Sequence, residues 1–139
     1  MPGIDESLLE AMRLPGARGA LVVDWISGLA LGAVGEAPGG DAEATAAETA
    51  ELARLALESP TLVPGAGGGE NGDENGDENG EATVEDLILT TADAYQLLRL
   101  VVTPFDSTVF MYLWLDRRDG NLALARIRLA EMADRLVLG

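Results

Sequence analysis

The alternation of apolar and polar positions divides the chain into eight segments. From Glu6 to Leu14, Leu8, Leu9 and Met12 fall on one helical side, with Asp5 or Ser7 as N-cap and Pro15-Gly16 as a stop, which predicts a short first helix. Arg18 to Trp25 is rich in β-branched residues, Ser27-Gly28 is a turn signal, and Leu29 to Val34 is a second apolar run, so a β-hairpin follows. Asp41 opens an Ala-rich stretch to Glu58 that Ser59-Pro60 terminates, predicting a second helix. Three strand-like runs come next, Val84 to Thr91, Tyr95 to Val102 and Thr108 to Leu115, and they form a meander. Asn121 to Leu138 carries Leu122, Ala125, Leu129, Met132 and Leu136 at alternating helical spacings, with Asp119 or Asn121 as cap, and forms a third helix.

The order is α-β-β-α-β-β-β-α. Val109 to Leu115 is apolar on both side-chain parities, as is Ala20 to Val23, so both faces of the sheet must be covered. Three helices for two faces imply an α+β fold in three layers, an α-β-α sandwich with two helices on one side and one on the other. The 139 residues suit a single domain spanning 1–139. One interruption breaks the pattern: residues 60–80 contain a Gly-rich stretch and the repeat Asn71-Gly-Asp-Glu, Asn75-Gly-Asp-Glu, with nothing apolar from Gly67 to Gly80. Such a segment cannot offset its ordering entropy by burial and is expected to be a disordered acidic loop between the second helix and third strand. Its period of four does not match a calcium-binding EF-hand loop.

Composition removes most catalytic chemistry. The chain has no Cys and no His, and its nine basic residues are all Arg. Thiol and imidazole nucleophiles, Schiff-base lysines, Cys/His zinc sites and the P-loop lysine are therefore absent. Paired carboxylates such as Glu85-Asp86 and Glu131-Asp134 are what 24 acids in one chain produce without a site. Gly65 to Gly69 lacks the Lys and following helix of a phosphate cradle, and Arg117-Arg118 sits between Asp116 and Asp119, where local ion pairing outweighs an arginine-finger reading. Trp25, Tyr112 and Trp114 fit strand periodicity as core or hairpin aromatics. We expect no enzyme, cofactor or metal. The net charge of −15 argues against nucleic acid and anionic membrane surfaces, and no apolar stretch is long enough for membrane insertion. With no secretory signal at the N-terminus, the expected location is cytoplasmic.

On a helical wheel the apolar residues of the second helix, Ala42, Ala46, Thr49, Ala50, Leu52, Ala53, Leu55, Ala56 and Leu57, spread over roughly 220°, about twice what one sheet needs. The small residues at 42, 46, 50 and 53 point to close approach of another helix, beside the alternative that Ala is simply a good helix former.

Three stretches carry a family resemblance: Pro15-Gly16-Ala17-Arg18-Gly19-Ala20-Leu21-Val22-Val23-Asp24 followed by Gly28; Ala92-Asp93-Ala94-Tyr95-Gln96-Leu97-Leu98-Arg99; and Asp119-Gly120-Asn121-Leu122-Ala123-Leu124-Ala125-Arg126. With the element order, they resemble the roadblock/dynein light chain family in its bacterial form. The resemblance implies a profilin-like, five-stranded antiparallel sheet ordered 2-1-5-4-3, with the second helix on one face. It also implies a homodimer in which second helices pack together and third strands pair across the two-fold. The residues so placed are Ala42, Ala46, Ala50, Ala53 and Leu57 on the helix, with Val84, Leu87 and Leu89 on the strand. Functionally it implies a non-catalytic adaptor that binds a small Ras-like GTPase and biases its nucleotide state. A structural dimerisation scaffold for other components, or a small-molecule sensor, are the alternatives.

Overall fold

The computed structural model describes residues 3–64, 84–102 and 108–136. Its elements are α1 (Ile4–Ala11), β1 (Ala17–Asp24), β2 (Leu29–Gly35), α2 (Ala42–Leu57), β3 (Asp86–Thr90), β4 (Ala94–Val101), β5 (Val109–Asp116) and α3 (Leu122–Arg135). The five strands form one antiparallel sheet in the order β2-β1-β5-β4-β3. This is the expected sheet, and the most apolar strand, β5, lies at its centre. Most of the acidic loop expected at 60–80 lies outside the described residues.

Side-chain parity along β5 sorts the two cores. Val109, Met111, Leu113 and Leu115 point to one face, where they meet Leu8 and Ala11 of α1 and Ala125, Leu129 and Met132 of α3. Phe110 and Tyr112 point to the other, where they meet Leu21 and Val23 of β1, Leu98 of β4, and Ala46, Ala50 and Ala53 of α2. Both predicted layers are therefore filled.

The elements begin and end where local chemistry allows. The first helix starts before the expected Glu6, because the Glu6 carboxylate accepts a hydrogen bond from the Gly3 N–H at 3.1 Å and draws Asp5 and Glu6 into the first turn. Neither Asp5 nor Ser7 is the cap. Asp41 and Asn121 do cap α2 and α3, each side-chain oxygen accepting from the amide three residues on, at 3.0 Å. The third strand is shorter than expected, running Asp86–Thr90 where Val84 to Thr91 was expected.

Gly16 closes the Pro-Gly turn at φ +81°, and a Cβ there would lie 2.6 Å from the Gly120 backbone. Two glycines thus let the start of β1 and the start of α3 touch, and the Asp116 N–H donates to the Gly16 carbonyl at 2.8 Å across that contact.

Candidate functional site

Among the described residues no group of three or more acidic side chains gathers as metal ligands. Of the two arginines considered for phosphoryl chemistry, the Arg117 side chain is engaged locally. Arg117 donates to the Thr91 carbonyl at 2.9 Å and lies over the Tyr95 ring at 5.5 Å, and the Arg118 amide donates to Asp116 at 3.0 Å. Glu131 pairs with Arg128 at 3.4 Å and Asp86 with Arg126 at 2.6 Å, so one acid of each pair is held by an arginine. Gly65 to Gly69 lies outside the described residues.

What remains is surface, and it gathers around α2 and β3. A one-turn 3-10 stretch, Pro38–Gly40, leads into the Asp41 cap and fixes where α2 starts. The inward side of α2 then presents Thr45, Ala46, Thr49, Ala50 and Ala53, all buried. The two threonine hydroxyls are satisfied within the helix, Thr45 donating to the Asp41 carbonyl at 3.0 Å and Thr49 to the Thr45 carbonyl at 2.7 Å. Arg54 tethers the other end, donating to the Trp25 carbonyl at 2.9 Å while holding Glu51 at 2.6 Å.

This placement corrects one expectation. Ala46, Ala50 and Ala53 do not face outward toward another helix: at 0–1% exposure they are the seat of α2 on its own sheet. The reason is volume, because Phe110, Tyr112 and Leu98 already fill the sheet side, and only small residues let the helix settle onto them. Ala42, Leu57, Val84 and Leu87 are half-buried against the same cluster. Of the residues assigned to the contact, Leu89 alone is exposed, at 48%.

The outward side of α2 carries Leu52 and Leu55 instead, 39% and 68% exposed, with Leu62 exposed just beyond the helix. Register places Leu87 and Leu89 opposite Leu98 and Gln96 on β4, so these leucines look to the α2 side of the sheet. As last strand of the sheet, β3 pairs with β4, and among the described residues no strand pairs with its other edge. Leu52 and Leu55 of α2 and the exposed Leu89 of β3 thus share one face of the sheet, with α2 itself packed on β1 and β2. The signal for Leu52 and Leu55 was in the sequence: two bulky aliphatics three apart, flanked by Glu48, Glu51 and Glu58.

Two of the aromatics, Trp25 and Trp114, are half-buried at the rim of the α2-side core, and the Arg18 guanidinium covers the Trp114 ring at 3.8 Å. Tyr112 is buried and donates to Gln96 Oε1 at 2.7 Å, and burial pushes its hydroxyl pKa well above the ordinary value.

No family model and no curated protein sequence matches the chain. Solved structures do. It is similar to "MglB with tetrameric arrangement", with a TM-score of 0.69 and 18% identity over 95% of this chain and 83% of that one. It is equally similar in shape to the Roadblock/LC7 domain from Streptomyces avermitilis, at 0.69 with 14% identity over 96% and 94% of the two chains. Myxococcus xanthus MglB superposes at 0.69 with 17% identity, over 94% of this chain and 82% of its own. The chain has the roadblock fold.

Proposed function

We propose that this chain is a roadblock protein of the MglB kind: a non-catalytic, homodimeric adaptor that binds a small Ras-like GTPase and biases its nucleotide state in the cytoplasm. The observation that carries the reading is the pairing of exposed Leu52 and Leu55 on α2 with exposed Leu89 and the open edge of β3, on one side of the sheet. An isologous contact presents the same patch from both copies, and a helix strip and a strand edge on the same face of the sheet suit one. The tetrameric arrangement named for one MglB structure supports self-association as a habit of the fold. The lack of Cys, His and Lys, which removes thiol, imidazole and amine chemistry, supports an adaptor over an enzyme. No helix among the described residues is long and apolar enough to cross a membrane.

An adaptor changes a switch only by binding its two states with different affinity. A tenfold preference corresponds to about 1.4 kcal/mol, within reach of one leucine pocket present in one nucleotide state alone. The test is retention of a small GTPase from the source cytosol on the tagged protein, with a GTP analogue or with GDP, followed by hydrolysis and exchange assays on the retained GTPase. Retention in one nucleotide state, lost in Leu55→Glu, is the expected result. Equal retention in both states contradicts the switch-reading function, and no GTPase in either state, with the dimer intact, points to a structural scaffold.

A further inference from the structure

A groove of about 390 Å³ lies on the opposite face of the sheet from Leu52, Leu55 and Leu89, and the GTPase reading leaves it unused. It exists because α3 lies over β4 and β5 while β3 projects beyond the helix. Its walls are Ala123, Ile127 and Ala130, one stripe of α3, and its polar groups are Glu85, Arg99 and Arg126. Ile88, which register puts on this same face of β3, is 39% exposed, and Ile127 on α3 is 58% exposed.

Arg99 is the unusual member. Its side chain is only 18% exposed, yet it makes no hydrogen bond: Nε is buried without a partner, and Nη1 stands 4.0 Å from Glu85 and 3.9 Å from Asp86. The nearest carboxylate is already taken, because Asp86 receives Nε of Arg126 at 2.6 Å and its Nη2 at 3.4 Å. That bidentate pair leaves Arg99 with Nε buried and unpartnered, and with only the looser ion pairs of Nη1 to Glu85 and Asp86. A buried guanidinium N–H without an acceptor costs free energy, and ion pairs held at 3.9–4.0 Å recover little of it, so a closer incoming carboxylate is favoured. The walls select what accompanies that carboxylate, since the α3 stripe and Ile88 offer aliphatic surface and nothing polar.

The geometry points to a second recognition site: the α3–β3 groove takes a segment of another protein in which an acidic side chain, seated on Arg99 and Arg126, adjoins aliphatic side chains lying between Ile88 and Ile127. Charge agrees with this choice. In a chain of net charge −15, the groove is locally balanced, two arginines against Glu85 and Asp86, so an acidic segment meets less repulsion there than the whole molecule presents. Because the site is on the other face, its occupation and GTPase binding are separable.

The test uses the full chain and two short acetylated, amidated peptides, one alternating leucine with aspartate and its twin alternating leucine with asparagine. Binding is read by fluorescence anisotropy, and the site by the Arg Nε–H resonances in ¹H–¹⁵N spectra. The acidic peptide is expected to bind at least about tenfold more tightly than its twin, moving Arg99 and Arg126 together with the amides of Ile88 and Ile127. Ile127→Glu, an exposed change that leaves the fold intact, and Arg99→Gln are each expected to remove that preference. Equal binding of the twins, no binding by either, or shifts confined to α2 overturns the proposal. So does a shift of the Arg99 resonance when residues 70–81 are deleted without peptide, because the groove's occupant is then the chain's own acidic repeat.

Discussion

Tyr112 shows how much one buried hydroxyl couples the fold to its surroundings. It sits in the central strand at 1% exposure, with its proton given to Gln96, and desolvation raises its pKa above the ordinary 10.0. The folded state therefore holds this proton to higher pH than the unfolded chain does. Its contribution is complete below pH ~10 and is lost as pH rises from there toward the folded-state value. Chemical denaturation across that range is expected to show wild-type stability falling above pH ~10, with the fall reduced in Tyr112→Phe. At neutral pH the same variant is expected to lose about 0.5–1.5 kcal/mol, the net worth of its hydrogen bond. A wild-type curve as flat as the variant's in the alkaline range contradicts this assignment.

At the scale of elements, α2 separates two roles by side-chain size. Its alanines bind the protomer together, and its leucines are left for something else. Ala50→Glu is expected to destabilise the chain by about 3 kcal/mol or more, because it forces a carboxylate into a packed core, and thermal unfolding measures it directly. Leu55→Glu, at a position 68% exposed, is expected to shift monomer stability by no more than about 0.5 kcal/mol while weakening self-association at least tenfold, about 1.4 kcal/mol, by sedimentation. The reverse pattern would mean that α2 is seated the other way round.

The elements themselves were legible, because periods of two and 3.6 are written directly into residues such as Val109 to Leu115 and Leu122 to Leu136. The orientation of α2 was not. A helical wheel adds apolar positions without knowing what the sheet presents to them, and here Phe110 and Tyr112 leave room only for alanine. Arg99 went unread for a similar reason. It lies on the same strand parity as Leu97 and Val101, one charge on an otherwise buried face, and its empty hydrogen-bonding capacity depends on Arg126 having claimed Asp86 from a distant helix.

For the whole molecule, the sheet has two open edges of different character. The β2 edge reads Leu29-Ala-Leu-Gly-Ala-Val-Gly35, while β3 begins with Asp86 and carries the exposed Leu89 on the face of the sheet that α2 covers. Two copies that meet through β3 and α2 bury these leucines and extend the sheet, so the adaptor reading depends on which edge is used. The chain contains no cysteine, so a single introduced thiol reports one position without interference. The most direct measurement is therefore the spin-label distance between copies, by pulsed electron resonance, with the label at Leu89→Cys on β3 and, separately, at Leu31→Cys on β2. Labels on strands paired across a two-fold lie within roughly 25 Å of each other, so the account predicts such a distance for Leu89→Cys and a longer one for Leu31→Cys. A short distance for Leu31→Cys alone, or no intermolecular distance for either label, would contradict it.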